Sequence, residues 1–182
     1  MLPYIIGLIV LVLVFLVLIP CISISNRLSR LQVKIDEADS GIDVALTKRY
    51  DVLTKQLDIV RGYAKHETET IEKVIELRRG MPLAEKAAAA TAMNDLQRGI
   101  NVVAEAYPEL RSAENFRALQ IAVTDTEEHL QAARRAYNAN VSAFNQMLVT
   151  FPSSIVAGMR HLTRRDFFEA EEAKRADVKM EF

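Results

Sequence analysis

The chain has 182 residues, of which 50% are apolar, and a formal net charge of −1; this length allows one domain with an appended segment. The near-zero charge argues against a nucleic-acid-binding protein, because such proteins carry a basic excess or a basic stripe. The single cysteine excludes an internal disulfide framework and a metal cluster built from several cysteines.

The apolar residues are concentrated at the N-terminus, where residues 1–26 contain no charged side chain. Leu2–Ile24 predicts a transmembrane helix, because a helix of this length reaches about 33 Å and the hydrocarbon core of a bilayer is about 30 Å thick. A cleaved signal peptide fits less well, since no basic residue precedes the apolar run and no Ala-x-Ala follows it. A lipoprotein signal ending at Cys21 stays open as the alternative, although Pro20 directly before the cysteine argues against it.

The charges that flank this segment indicate its orientation. Arg27, Arg30 and Lys34 follow the apolar run closely, and no basic side chain precedes it. The positive-inside rule then favours an N-terminus outside and a domain in the cytoplasm. We therefore expect a single-pass membrane protein with the lipid bilayer as its first partner.

The next stretch, residues 26–79, predicts one long amphipathic helix. Its apolar residues recur at a spacing close to the 3.6 residues of an α-helix. A strict spacing of 3.5 residues fits less well, because it would place Arg49, Gln56 and His66 on the apolar seam. Gly41 and Gly62 mark positions where the helix can be interrupted, since each weakens a helix by about 1 kcal/mol relative to alanine.

Two further helices are predicted at residues 82–106 and 113–150, separated by Tyr107-Pro108, and a short segment at 155–159 follows. No stretch has the alternating pattern of a strand. The expected fold is all-α: an N-terminal transmembrane helix followed by an antiparallel bundle of three long helices. The expected division is an anchor at 1–25, a helical bundle domain at 26–159, and a basic cluster with an acidic tail at 160–182.

The predicted helices differ in length, which suggests an interface. The first would span about 80 Å and its partners about 57 and 37 Å. Part of the first helix would then have an apolar face that this chain does not cover, and such faces usually mark an interface. We therefore predict self-association as a homo-oligomer through the residues of this face: Leu28, Leu31, Ile35, Ala38 and Ile42.

No catalytic, cofactor-binding or metal site is predicted. His66-Glu67 lacks the second histidine of a zinc-protease helix, because Thr70 stands at that position. The acidic run at 36–43 lacks the ligands of a calcium loop and is interpreted as a solvated helix face. A pocket between helices, lined by Tyr63, His66 and Tyr107, is the alternative functional site.

Two interpretations stay open for the basic cluster at residues 160–165. Arg160, Arg164 and Arg165 could contact anionic lipid headgroups if the chain folds back to the membrane. They could equally lie in a solvated loop. The acidic tail is expected to pack poorly, with Phe167-Phe168 as the part that could dock.

Several motifs stand in collinear order along the chain and, with the N-terminal apolar segment, resemble those of the bacterial LemA family. They are Ile42-Asp43-Val44, Lys48-Arg49-Tyr50-Asp51, Val60-Arg61-Gly62-Tyr63, Ala106-Tyr107-Pro108-Glu109-Leu110, Glu114-Asn115-Phe116, Ala133-Arg134-Arg135, Tyr137-Asn138, Phe151-Pro152-Ser153 and Phe167-Phe168-Glu169-Ala170-Glu171-Glu172. The resemblance implies a membrane-attached helical bundle of the bacterial envelope and supplies no catalytic or ligand-binding residues. The family's proline after the second motif is absent here, where Leu53-Thr54-Lys55-Gln56 stands, so a straighter helix is expected.

These observations predict a non-enzymatic protein of the bacterial envelope. Its helical domain would self-associate and act as a scaffold, organise the membrane or recruit other envelope proteins. The alternative is a module that binds a ligand or peptide in the pocket between helices. No cofactor and no nucleic acid is expected as a partner.

Overall fold

The computed structural model describes residues 2–64 and 80–168. Within those two ranges the chain forms five α-helices: α1 (Leu2–Tyr63), α2 (Leu83–Ala106), α3 (Pro108–Ser112), α4 (Glu114–Val149) and α5 (Ser153–Met159). The described ranges contain no strand. The all-α fold and the long apolar N-terminal helix are therefore confirmed, and α2 and α4 begin and end within two residues of their predicted limits.

The first helix, α1, begins and ends earlier than the helix predicted at residues 26–79. It runs without interruption from the apolar segment through Pro20 and into the charged part of the chain. It ends at Tyr63, directly after Gly62. The rest of the predicted helix, at residues 65–79, lies outside the described part of the chain.

The residues divide into two compact units, and α1 contributes to both. The first unit contains residues 1–37 and 137–167, and the second contains residues 38–136 and 168–182. Each unit therefore combines a part of α1 with segments that are distant along the sequence.

In the first unit, the end of α4 runs antiparallel to α1. Asn140 Nδ2 donates a hydrogen bond of 3.2 Å to the carbonyl of Lys34, whereas Arg160, which is later in the chain, bonds to Ser25, which is earlier. The buried apolar residues of this unit are Leu28, Ile35, Tyr137, Val141, Phe144, Val156 and Ala157.

The turn after α5 positions Arg160 for its hydrogen bond to the Ser25 carbonyl. His161 has a φ of 51°, and the amides of His161 and Leu162 bond to the carbonyls of Gly158 and Ala157. This is a Schellman motif, which ends a helix with a residue in the left-handed conformation. The chain then turns back, and Asn145 Nδ2 donates to the Arg165 carbonyl at 2.8 Å while Asn145 Oδ1 accepts from the Arg165 amide at 3.0 Å.

The prediction that the chain leaves the face of Leu28, Leu31, Ile35, Ala38 and Ile42 uncovered is wrong. Leu28, Ile35 and Ile42 are buried inside the chain, and Leu31 and Ala38 are half-buried. The length comparison assumes that the shorter helices lie beside the far end of a helix that reaches residue 79. In the first unit, α4 and α5 instead pack beside the part of α1 that directly follows the apolar segment.

In the second unit, α1 and α2 run in the same direction. Lys86, near the start of α2, contacts Asp39 and Asp43 of α1. Arg49, farther along α1, contacts Asn94 and Gln97, which lie farther along α2. The sequence instead predicts these two helices as antiparallel neighbours, because residues 26–79 are predicted to form one helix that the helix at 82–106 follows after a short connection.

We expect Ile35→Ala to lower the free energy of unfolding by about 2–5 kcal/mol, because Ile35 is 2% exposed and its removal leaves a cavity. Val33→Ala is the matched control on the same helix: Val33 is 55% exposed, and a change of less than about 0.5 kcal/mol is expected. The measurement is chemical denaturation of the full chain in mild detergent. A variant Ile35→Ala that keeps its stability but changes the mass of the particle would restore the interface hypothesis.

Candidate functional site

A buried guanidinium joins three helices of the second unit. The side chain of Arg49 is 1% exposed, and its Nη2 lies 2.8 Å from Asn94 Oδ1 and 3.0 Å from Gln97 Oε1. Its Nη1 lies 2.9 Å from Glu127 Oε2 on α4. Because a guanidinium stays protonated in proteins, this charge is permanent and needs these partners.

A buried ammonium forms a second cluster in the same unit. The side chain of Lys86 is fully buried, and its Nζ lies 2.7 Å from Asp39 Oδ1 and 2.8 Å from Asp43 Oδ1. The two aspartates are four residues apart on α1, so their carboxylates project from the same side of the helix. Lys86 thus links α2 to α1, and Arg49 links α1 to both α2 and α4.

The environment of Lys86 decides what its amine can do. Burial alone lowers the pKa of Lys86, but the hydrogen bonds and negative charges of Asp39 and Asp43 outweigh it and raise this pKa above its ordinary value of 10.5. An amine acts as a base or nucleophile only when its pKa is lowered toward neutrality. Lys86 therefore stays charged at neutral pH and serves the packing of the helices.

Neither cluster is predicted from the sequence. The acidic run at 36–43 predicts a solvated helix face, yet Asp39 and Asp43 bind a buried lysine. Arg49 and Gln56 argue against a spacing of 3.5 residues because they are polar, yet both are 1% exposed. The available signal is the seven-residue interval itself, since every seventh residue from Leu28 to Gln56 is buried: Leu28, Ile35, Ile42, Arg49 and Gln56.

The first unit contains a groove of about 450 Å³ between α1, the end of α4 and the start of α5. Its lining residues are Ser23, Ile24, Arg27, Leu31, Ala143, Gln146, Met147, Thr150, Phe151, Pro152 and Ser153. Arg27 is the one charged side chain in this lining, and it cannot accept a proton. The lining therefore offers no general acid or base for neutral pH.

The predicted pocket of Tyr63, His66 and Tyr107 stays a prediction. The side chain of Tyr63 is 46% exposed, and Tyr107 is half-buried. His66 lies outside the described residues. Among the residues that the structure describes, no group of three or more His, Cys, Asp or Glu side chains could hold a metal ion.

The C-terminal segment before residue 169 is tied to the rest of the chain. Arg160 Nη1 donates to the Ser25 carbonyl at 2.8 Å, whereas Arg164 and Arg165 are exposed. Phe168 is buried, with the Arg134 guanidinium 4.7 Å from its ring centre, and Phe167 stays exposed. The expected docking of this aromatic pair therefore holds for Phe168.

The apolar segment at the start of α1 faces outward. One helix in the described chain is long and apolar enough to cross a membrane; its best window has a mean hydropathy of 3.4, and none of that window is buried. The segment therefore has no partner within the described chain that would make it a core helix. Cys21, near its end, is partly exposed and has a free thiol.

Comparison with known proteins gives two matches. The family model for LemA matches residues 38–182. The protein LemA of Metamycoplasma hominis is 28% identical over 158 residues, which cover 84% of this chain and 72% of that protein. The family match contains Asp39, Asp43, Arg49, Lys86 and Glu127, and thus both buried clusters.

We expect Lys86→Met to lower the free energy of unfolding by about 3 kcal/mol at neutral pH, because it leaves two carboxylates side by side without their cation. Lys48→Met, at an exposed position of α1, is the control and should change stability by less than about 0.5 kcal/mol. Adding Asp39→Asn and Asp43→Asn to Lys86→Met should recover most of the loss.

The Lys86→Met variant also allows a test of how stability depends on pH. Since the pKa of Lys86 is higher in the folded than in the unfolded chain, the cluster stabilises the protein below pH 10.5, and this stability is lost as the pH rises through the folded-state pKa. The unmodified chain should therefore lose more stability than Lys86→Met between neutral and strongly alkaline pH. Equal losses in denaturation experiments would contradict this account of the cluster.

Proposed function

Because the chain belongs to the LemA family, we propose that it is a non-enzymatic, single-pass membrane protein of the bacterial envelope that holds a helical domain at the membrane surface as a scaffold. The domain would organise the membrane or recruit other envelope proteins. Its partners would be the lipid bilayer and those proteins. The proposed location is the inner membrane, with the domain in the cytoplasm.

One observation carries this proposal: the apolar segment and the first core residues belong to the same uninterrupted helix. The outward-facing segment ends at Ile24, and Leu28, which is fully buried, lies about 6 Å farther along the helix axis. A flexible linker would let a tethered domain sample many positions. A continuous helix instead keeps the first unit close to the membrane, as a scaffold requires.

The chemistry of the described residues supports a non-enzymatic role. Arg49 and Lys86, the two buried cations, are matched by polar or acidic partners on neighbouring helices. Neither presents a group that titrates near neutral pH, as general acid–base catalysis needs. Self-association through the face of Leu28, Ile35 and Ile42 is not proposed, because those residues already belong to the chain's own core.

To test the anchor, we introduce Leu11→Arg together with Phe15→Arg. Both positions are exposed in the described chain, so the change should spare the folded domain. Each arginine near the centre of a membrane helix costs about 2.5–3.5 kcal/mol, and we expect the variant to leave the membrane fraction on alkaline carbonate extraction. The matched control, Leu11→Ile with Phe15→Leu, should stay in the membrane. Extraction of the unmodified chain by carbonate would refute an integral anchor.

To test the orientation, Ser40→Cys is introduced in a Cys21→Ser background. Ser40 is exposed and lies beyond the flanking basic residues, so the introduced thiol reports the side on which the domain stands. We expect a membrane-impermeant maleimide to label it in lysed spheroplasts and not in intact ones, because the positive charges favour the cytoplasm. Labelling in intact spheroplasts would place the domain outside.

A further inference from the structure

The short helix α5 has an apolar face that points away from the rest of the first unit. The face consists of Ile155 and Met159 of α5 and of Phe151, two residues before the helix begins; they recur at four-residue intervals and are 56%, 75% and 76% exposed, respectively. The opposite face packs inward, since Val156 and Ala157 are buried. A helix at a water-facing surface normally directs polar residues outward, so this outer face is unusual for contact with water.

The position of this face along α1 suggests what it contacts. Arg160 directly follows α5, and its Nη1 lies 2.8 Å from the carbonyl and 3.2 Å from the Oγ of Ser25. Ser25 is the residue after Ile24, the last apolar residue of the predicted transmembrane segment. At the other end, Phe151 lines the same groove as Ser23 and Ile24. The face therefore stands at the level where α1 would leave the hydrocarbon core.

The charges around α5 have the order expected at a membrane boundary. Residues 136–159 contain no charged side chain, and Arg160, Arg164 and Arg165 follow. Arg27 and Arg30 begin the charged part of α1 at the corresponding level. Across residues 25–37 and 137–167 there are six Lys or Arg and three Asp or Glu side chains. An apolar face bordered by basic residues suits the boundary between acyl chains and anionic headgroups.

We propose that the face formed by Phe151, Ile155 and Met159 inserts into the interfacial layer of the bilayer that α1 spans. The inference rests on the proposed role of α1 as an anchor and adds a second membrane contact to it. A single spanning helix leaves the unit free to tilt against the membrane. Contact through α5 opposes any tilt that would lift this face out of the interfacial layer.

A lipid surface fits this face better than a protein partner does. Two side chains on a helix of seven residues, together with Phe151 just before it, supply much less than the about 800 Å² that each partner contributes to a stable protein interface. Insertion into the bilayer needs no such area, because α1 already holds the face next to the lipid. The continuity of the face with the end of the apolar segment therefore favours the membrane as its occupant.

The chain contains no tryptophan, so single-tryptophan variants report their own surroundings. The full chain carrying Met159→Trp or Ile155→Trp is reconstituted in vesicles of equal parts phosphatidylcholine and phosphatidylglycerol. Emission is recorded with ordinary lipids and with lipids brominated near the carbonyl end of the acyl chains. Val44→Trp, at an apolar position 69% exposed in the second unit, is the matched control, and Phe15→Trp reports the anchor.

We expect Met159→Trp and Ile155→Trp to emit at shorter wavelength than Val44→Trp and to lose most of their intensity in brominated lipid, whereas Val44→Trp keeps its intensity. If Phe15→Trp emits at short wavelength but Met159→Trp and Ile155→Trp behave like Val44→Trp, the second contact is refuted and the anchor stands. If Phe15→Trp also emits at the wavelength of a water-exposed side chain, both proposals fail. A short-wavelength emission of Met159→Trp that brominated lipid does not quench would assign the face to contact with a second copy of the chain and overturn the inference.

Discussion

The structure depends on one helix that must satisfy two different surroundings along its length. The first part of α1 is apolar and outward-facing, as contact with lipid requires, and the same helix becomes amphipathic within about one turn after Ser25. Because the backbone hydrogen bonds of an α-helix are satisfied internally, a helix can pass from lipid to a protein core without exposing polar backbone groups. Each of the two compact units includes a part of α1.

Buried charge determines how the other helices of the second unit align with α1. Removing an ammonium or guanidinium from water is costly, and the cost is recovered only where partners stand at suitable distances. Lys86 contacts the carboxylates of Asp39 and Asp43 on successive turns of α1. Arg49 bonds to the side-chain amides of Asn94 and Gln97, farther along α2. A shift of α2 along α1 would leave both cations without these partners. Both clusters are therefore satisfied together at the observed register of α2 along α1.

In the first unit, side chains of α4 form hydrogen bonds with the backbone of the segment that follows α5. The side chain of Asn145 acts as both donor and acceptor for the backbone of Arg165, and Tyr137 donates its hydroxyl to the Asp166 carbonyl at 3.1 Å. The Schellman motif at His161 directs the chain into these contacts. This arrangement holds α5 beside the end of the apolar segment, where its outer face stands at the proposed membrane boundary.

The sequence by itself determined the local features of this protein. The uncharged N-terminal run, the apolar periodicity and the break at Tyr107-Pro108 are short-range signals, and they predict the apolar N-terminal helix, the all-α fold and the limits of α2 and α4. The family resemblance was also readable from the motifs, and the family model confirms it.

Tertiary structure decided which helices are neighbours, in which direction they run, and which polar residues are buried. Those outcomes depend on contacts between residues such as Arg49 and Glu127, which are far apart along the chain. A polar side chain on a helix face has the same periodicity whether it meets water or a buried partner, so only the folded chain shows which of the two it meets.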